Sequence, residues 1–228
     1  EWGLAAIDHL ARGQLAVVVD VLSFTTCVDI AVSRGVTVLP YARNDDGATA
    51  FAVQRDAVLA GARERTGGTY SLSPASLLDA PAGLRLVLPS PNGSAIAFGA
   101  RSAAMAVVAG SLRNAAAVAA WAQRRGTQIV VIPAGEQWPN GSLRPAVEDL
   151  LGAGAIISHL AGSRSPEAGI AAAAFEGVAD RLAEAVSSCS SGRELIERGF
   201  RRDVELACEL DVSRIVPVLE GETFILGG

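Results

Sequence analysis

Lysine is absent from this 228-residue chain; all 19 basic side chains are arginine. That removes a P-loop lysine, a Schiff-base lysine and a lysine general base at once. Only two histidines occur, His9 and His159, neither spaced for metal binding, and there is no Gly-x-Ser-x-Gly elbow, which argues against a Ser-His-Asp hydrolase. The three cysteines, Cys27, Cys189 and Cys208, form no Cys-x-x-Cys pair and read as buried, reduced thiols rather than a disulfide frame or zinc site. Apolar stretches such as residues 168–175 are far shorter than the ~20 residues of a membrane helix. No charged segment precedes an apolar core at the start, so no signal peptide is expected. The chain reads as soluble, intracellular and cytoplasmic. A Gly-x-Gly-x-x-Gly turn is missing, and Trp2, Trp121 and Trp138 are too scattered to stack bases.

What the chain has is a core. Half of its residues are hydrophobic, 19% are charged and its mean hydropathy is +0.34, a globular composition. The net charge of −5 and pI near 5.1 argue against nucleic acid or an anionic membrane as partner.

Short apolar runs alternate with longer helical ones. Residues 15–20 (Leu-Ala-Val-Val-Val-Asp) suit a strand covered on both faces. A helix is expected over 23–34, ended by Gly35, then a strand at 36–40 and a helix over 44–62 opened by Asp45 and Asp46. Residues 63–83, rich in Gly, Ser, Thr and Pro, read as a long excursion. Strands follow at 84–88, 105–109 and 127–133, with helices at 95–101 and 115–125, a loop at 134–143 and a helix at 145–161. Beyond these come a helix over 166–187, a break at Gly192, further helix to Leu210 and closing strands at 214–219 and 223–226. Repeated βα units predict an α/β fold with a mostly parallel sheet covered by helices in Rossmann-like layers. One domain spanning 1–228 is expected, with two lobes meeting near 63–83 as the alternative.

In open α/β sheets, ligands bind beyond the carboxyl ends of strands, where helix N-termini offer free amides. Asp20, followed by Ser23, Thr25 and Thr26, stands at one such end. Ser90, Asn92, Gly93 and Ser94 stand at another, Gly110, Ser111 and Asn114 at a third, and Glu136 beyond a fourth. These residue types suit a small, multiply anionic molecule; they are also the commonest capping and turn residues. Asp20, Glu148 or Asp149, and Asp203 are candidate ligands for a hard cation such as Mg²⁺, which takes one or two carboxylates and completes its shell with water and phosphate.

Residues 17–28 (Val-Val-Val-Asp-Val-Leu-Ser-Phe-Thr-Thr-Cys-Val), 90–96 (Ser-Pro-Asn-Gly-Ser-Ala-Ile), 110–115 (Gly-Ser-Leu-Arg-Asn-Ala), 134–135, 147–155 (Val-Glu-Asp-Leu-Leu-Gly-Ala-Gly-Ala) and 199–208 (Gly-Phe-Arg-Arg-Asp-Val-Glu-Leu-Ala-Cys) resemble, in order, the 2-phosphosulfolactate phosphatase family. Asp211 and residues 215–218 fit as well. The resemblance implies a Mg²⁺-dependent phosphatase that converts 2-phospho-3-sulfolactate to 3-sulfolactate, a step toward coenzyme M. Ser23 stands where the family commonly carries Arg, residues 71–74 replace a Gly-Asn-Ser-Pro segment, and Gly152 replaces a Cys. Arg113, Arg144, Arg201 and Arg202 are the candidates to supply the missing cation for a second acidic group.

The expected chemistry is metal-assisted hydrolysis of a small phosphate monoester. Asp20, Glu148 and Asp203 would hold Mg²⁺, with Asp20 and Glu148 catalytic. Thr25, Thr26, Asn92, Gly93, Ser94, Ser111 and Asn114 would receive the substrate. The rivals are an aspartyl-phosphate route through Asp20, which lacks a second Asp at position 22, and a non-catalytic anion-binding protein. No nucleic-acid or membrane partner is expected, and the Ala-rich helices leave room for a homo-oligomer.

Overall fold

The computed structural model describes residues 1–42, 45–61, 69–126 and 128–228. Asn44 and Ala62, the two ends of the expected helix, residues 63–68 of the expected excursion, and Thr127 lie outside the described residues. Ten strands are found among the described residues: β1 (Leu15–Val19), β2 (Thr37–Tyr41), β3 (Val58–Leu59), β4 (Arg85–Pro89), β5 (Ala106–Gly110), β6 (Ile129–Pro133), β7 (Glu136–Gln137), β8 (Leu143–Arg144), β9 (Pro217–Glu220) and β10 (Thr223–Leu226). The α-helices are α1 (Phe24–Ser33), α2 (Gly47–Gln54), α3 (Gly93–Ala100), α4 (Ala115–Gln123), α5 (Val147–Ser158), α6 (Pro166–Glu176), α7 (Leu182–Ser188), α8 (Ser190–Glu197) and α9 (Arg201–Ala207).

Eight strands form one sheet in the order β3-β4-β2-β10-β9-β5-β1-β6, and β7 and β8 make a separate hairpin. The architecture is the α/β one expected, with most of the pairing parallel. Its blocks oppose each other: β5, β1 and β6 run one way, β3, β4 and β2 the other, and the antiparallel β9–β10 hairpin joins them. Each seam is a single residue pair, Val108 with Val218 and Val38 with Phe224. Apolar periodicity reports which faces are buried and not which way a strand runs, so this reversal is invisible in the sequence.

Strand β1 is the axis of the core. All five of its residues are fully buried. Leu15, Val17 and Val19 point toward α4, α5 and the C-terminal helices, whereas Ala16 and Val18 face α1 and α3. Alternation at a period of two thus feeds two separate layers, and each buried Val contributes roughly 1.5–3 kcal/mol.

Three expected elements are redrawn. The helix over 44–62 ends at Gln54, because Asp56 adopts a left-handed φ of 47°; Val58 and Leu59 then pair with Leu86 and Val87 as β3. The loop at 134–143 contains the β7–β8 hairpin. The long C-terminal helix is interrupted after Glu176 and at Cys189, not at Gly192. Gly192 lies inside α8, where a Cβ would stand 2.0 Å from the carbonyl oxygen of Val186; it permits contact instead of breaking a helix.

Candidate active site

The carboxyl end of β1 delivers Asp20 to the start of α3. Gly93 N donates to Asp20 Oδ2 at 2.9 Å, and Phe24 N donates to Oδ1 at 3.2 Å. Both amides belong to first helical turns, whose N–H groups have no acceptor within their own helix. Only glycine admits this approach: a Cβ at position 93 would lie 2.5 Å from Phe24 Cδ1 and 2.6 Å from Asp20 Oδ2. The strand ends of β1 and β4 therefore meet, although their strands belong to opposed blocks.

The N-terminus of α5 supplies two more carboxylates. Asp149 accepts from Val21 N at 2.7 Å and from Gly135 N at 2.8 Å, tying the exits of β1 and β6 to the helix. Glu148 is buried beside it and accepts from the Cys189 thiol at 3.2 Å. Neighbours on a helix diverge by about 100°. Here both are nonetheless buried, because the strand exits cover one and α8 the other.

Glu136 is the member that the sequence reading left without a role. It follows Gly135, whose φ of +69° suits glycine, and it accepts from Asn92 Nδ2 at 3.0 Å. Burial pushes Glu136 up to about 7, reinforced by Asp20 and Glu148 and opposed by Arg144 and the Asn92 hydrogen bond. Burial likewise holds Asp149 well above the usual carboxylate range, with Asp20 and Glu148 adding to the effect against its two amide donors. The signal that would have found Glu136 is its position, three residues beyond the end of β6 and directly after a glycine.

Hydroxyls expected to face a ligand serve the fold. Thr25 Oγ1 donates to the carbonyl of Asp20 and accepts from its amide, Thr26 Oγ1 donates to Val21 O, and Ser94 Oγ donates to Leu88 O. Ser111 and Asn114 form a capping box, and the Asn114 amide donates to Ala109 and Ile215 carbonyls. Asp203 accepts from Ser73 Oγ at 2.6 Å and Ala75 N at 3.1 Å; no hydrogen bond among the described residues links it to Asp20 or Glu148. Arg113 is committed to buried Asp29 and to Glu209, Arg144 pairs with Glu194, Arg201 is exposed and Arg202 pairs with Glu205. Cys27 and Cys208 are buried as expected, whereas Cys189 is only half-buried.

Asp20 and Glu148 act electrostatically on both Glu136 and Asp149, with Arg144 as the cation that Glu136 senses. Among the described residues, no three His, Cys, Asp or Glu side chains are gathered closely enough to cage a metal ion. The donor set fits an ion such as Mg²⁺, which needs one or two carboxylates and takes its other ligands from water and substrate. Among the described residues, no helix is long and apolar enough to cross a membrane.

The family model for 2-phosphosulpholactate phosphatase matches residues 5–222. The chain is 32% identical over 226 residues to the probable 2-phosphosulfolactate phosphatase of Thermus thermophilus, covering 94% of this chain and 91% of that one. Identity to the protein of the same description from Deinococcus radiodurans is 33% over 217 residues, covering 90% and 87%. For that from Carboxydothermus hydrogenoformans it is 31% over 219 residues, covering 91% and 87%. An acidic cluster at converging strand ends is common to many metal-assisted hydrolases, but a match across nearly the whole length is specific: the chain belongs to the 2-phosphosulfolactate phosphatase family.

Proposed function

We propose that this protein hydrolyses a small acidic phosphate monoester, 2-phospho-3-sulfolactate in the first instance, with Mg²⁺ as cofactor. The observation that carries the reading is the convergence of Asp20, Glu148 and Asp149, all buried, on the end of β1 and the start of α5. Like charges at close quarters raise one another's proton affinity, and a cation relieves that repulsion.

Asp20 and Glu148 are the residues that would hold Mg²⁺. When bound, the ion offsets charge on the phosphoryl oxygens and positions the ester. The amides of Phe24 and Gly93 aim the Asp20 carboxyl group. Asp149, both of whose oxygens accept buried amides, positions the β1 and β6 exits on which the site stands. The amides that follow Gly93 in the first turn of α3 are the donors for phosphate, since those of Phe24 and Gly93 hold Asp20 and the threonine and serine hydroxyls nearby are engaged by the backbone.

The test is phosphate release from 2-phospho-3-sulfolactate, with and without EDTA. Turnover that requires Mg²⁺ and falls at least about 100-fold in Asp20→Asn and Glu148→Gln supports the reading. Full activity in EDTA removes the metal, and a trapped phosphoenzyme lost in Asp20→Asn replaces the direct route by a covalent one.

A further inference from the structure

The candidate site is built of carboxylates, in a chain whose net charge is −5. In the reading above Mg²⁺ serves the phosphoryl group, so any further acidic group of the substrate needs a counter-charge from the protein. The sequence offers four arginines for this place, and the structure separates them. Arg113 is engaged by Asp29, Glu209 and the Leu206 carbonyl. Arg201 and Arg202 are exposed on α9, Arg202 paired with Glu205.

Arg144 stands at the site itself. It lies directly opposite Glu136 in the β7–β8 hairpin, so the two side chains leave the hairpin on the same face. Glu136 accepts from Asn92, the residue before the Gly93 whose amide holds Asp20. Glu148 follows Arg144 by four residues, in the first turn of α5. The charges of Glu136 and Glu148 both act on the guanidinium.

We propose that Arg144 determines substrate specificity: its guanidinium binds an acidic group of the substrate, carboxylate or sulfonate, separate from the phosphate. The proposal rests on the phosphatase reading above and adds to it the end of the substrate that does not react. The side chain is set in place before a ligand arrives. Nη1 donates to Glu194 Oε1 at 2.9 Å, Nη2 reaches Ser191 Oγ and Glu194 Oε2 at 3.4 Å, and the Trp138 ring centre lies 5.6 Å from the guanidinium carbon. Ser191 and Glu194 belong to α8, whose capping residue Cys189 donates to Glu148, so one helix start braces both Arg144 and Glu148. Such bracing lowers the ordering cost of binding. At 18% exposure the side chain is shielded from bulk water yet reachable. Its Nε–H has no acceptor among the described residues, which leaves a donor of the planar fork for a ligand oxygen.

The experiment compares wild type with Arg144→Gln and Arg144→Lys on three esters in the presence of Mg²⁺. These are 2-phospho-3-sulfolactate, 2-phospholactate, which lacks the sulfonate, and propan-2-yl phosphate, which lacks both acidic groups. In Arg144→Gln, kcat/KM on 2-phospho-3-sulfolactate should fall about 10- to 100-fold, mostly through KM, and on propan-2-yl phosphate by less than about threefold. Arg144→Lys, which keeps the charge and loses the fork, should recover part of the loss. A fall on 2-phospholactate as large as on the full substrate assigns the guanidinium to the carboxylate, and one confined to the full substrate assigns it to the sulfonate; both support the proposal. Equal falls on all three esters, the mark of a structural role, or no fall on any, overturn it while the phosphatase reading stands. If Arg144→Gln does not fold, Arg144→Lys takes its place: a fall confined to the acidic esters supports the proposal, and a uniform or absent one overturns it. Binding is read separately from the rise in melting temperature that 3-sulfolactate gives with Mg²⁺, expected for wild type and lost in Arg144→Gln. Should wild type turn over none of the esters, the phosphatase reading fails and this rise decides: its loss in the variant supports the contact, and a rise kept in the variant or missing from wild type overturns it.

Discussion

Replacing Gly93 with alanine tests whether Asp20 is held against α3. The added carbon would stand 2.5 Å from Phe24 Cδ1, 2.6 Å from Asp20 Oδ2 and 2.9 Å from Asp20 Cβ, where ordinary contact begins at 3.4 Å. Neither neighbour has a ready retreat. Phe24 is fully buried with its ring edge-on to Phe224 at 6.1 Å, and Asp20 is anchored by two amides. Overpacking of this kind costs about 1–3 kcal/mol, and loss of a hydrogen bond to a charged group about 1.5–3. Alanine's better helix propensity returns about 0.5–1, leaving a net cost of about 1.5–5.5 kcal/mol. At about 2–4 °C per kcal/mol, melting should fall by roughly 3–22 °C. Phosphate release should fall about 100-fold, as expected for a catalytic group moved by about 1 Å. Gly169, inside α6 with nothing within 4 Å of a built Cβ, is the control: Gly169→Ala should stabilise by about 0.5–1 kcal/mol. If Gly93→Ala melts within about 1 °C of wild type and retains full turnover, Asp20 is not fixed where the structure puts it.

The pH dependence of stability is expected to be inverted relative to an ordinary carboxylate. Glu136 and Asp149 bind protons more tightly folded than unfolded, so the stability they contribute is complete below the unfolded values near 4 and is lost as pH rises through the folded ones, about 7 for Glu136. Urea melts between pH 5 and 8 without divalent ions should show stability declining by up to about 1.4 kcal/mol per pH unit per group, and Mg²⁺ should flatten the decline; a rise with pH contradicts the assignment. Asp149→Ala strands the amides of Val21 and Gly135 at about 1–3 kcal/mol each, less the relieved repulsion, so its deficit in urea melts should be smaller at pH 8 than at pH 5. Arg113→Ala leaves Asp29 buried without its guanidinium, a loss of about 3–5 kcal/mol in the same melts. Because burial already raises Asp29, that loss should shrink on acidification as the carboxyl takes up a proton.

The part of the site that rests on local sequence was readable. A Val-rich run ending in Asp20 announces a buried strand with a carboxylate at its exit, and Gly152-Ala-Gly154 announces close packing. Cβ atoms there would stand 2.6 Å from Val21 Cγ2 and 2.1 Å from Ala171 O. What escaped depends on partners far along the chain. Asp149 reaches Val21 across 128 residues, and Asn92 reaches Glu136 across 44, and no periodicity encodes either. The Thr25 and Thr26 hydroxyls bond backbone carbonyls five residues back, a local pairing that residue type alone does not distinguish from a ligand contact. Asp203 holds Ser73, a partner 130 residues away that its helix position does not announce.

The β9–β10 hairpin has a consequence for how the molecule is made. Residues 217–226 sit between β2 and β5, so every other strand of the sheet is synthesised before the piece that joins the two halves. Until it emerges from the ribosome, the inner flanks of β2 and β5 are raw edges open to mispairing. A polypeptide interrupted near residue 215 would carry the acidic side chains of the candidate site yet lack the seam between the two strand blocks, and such a fragment should be cleared by proteases rather than accumulate.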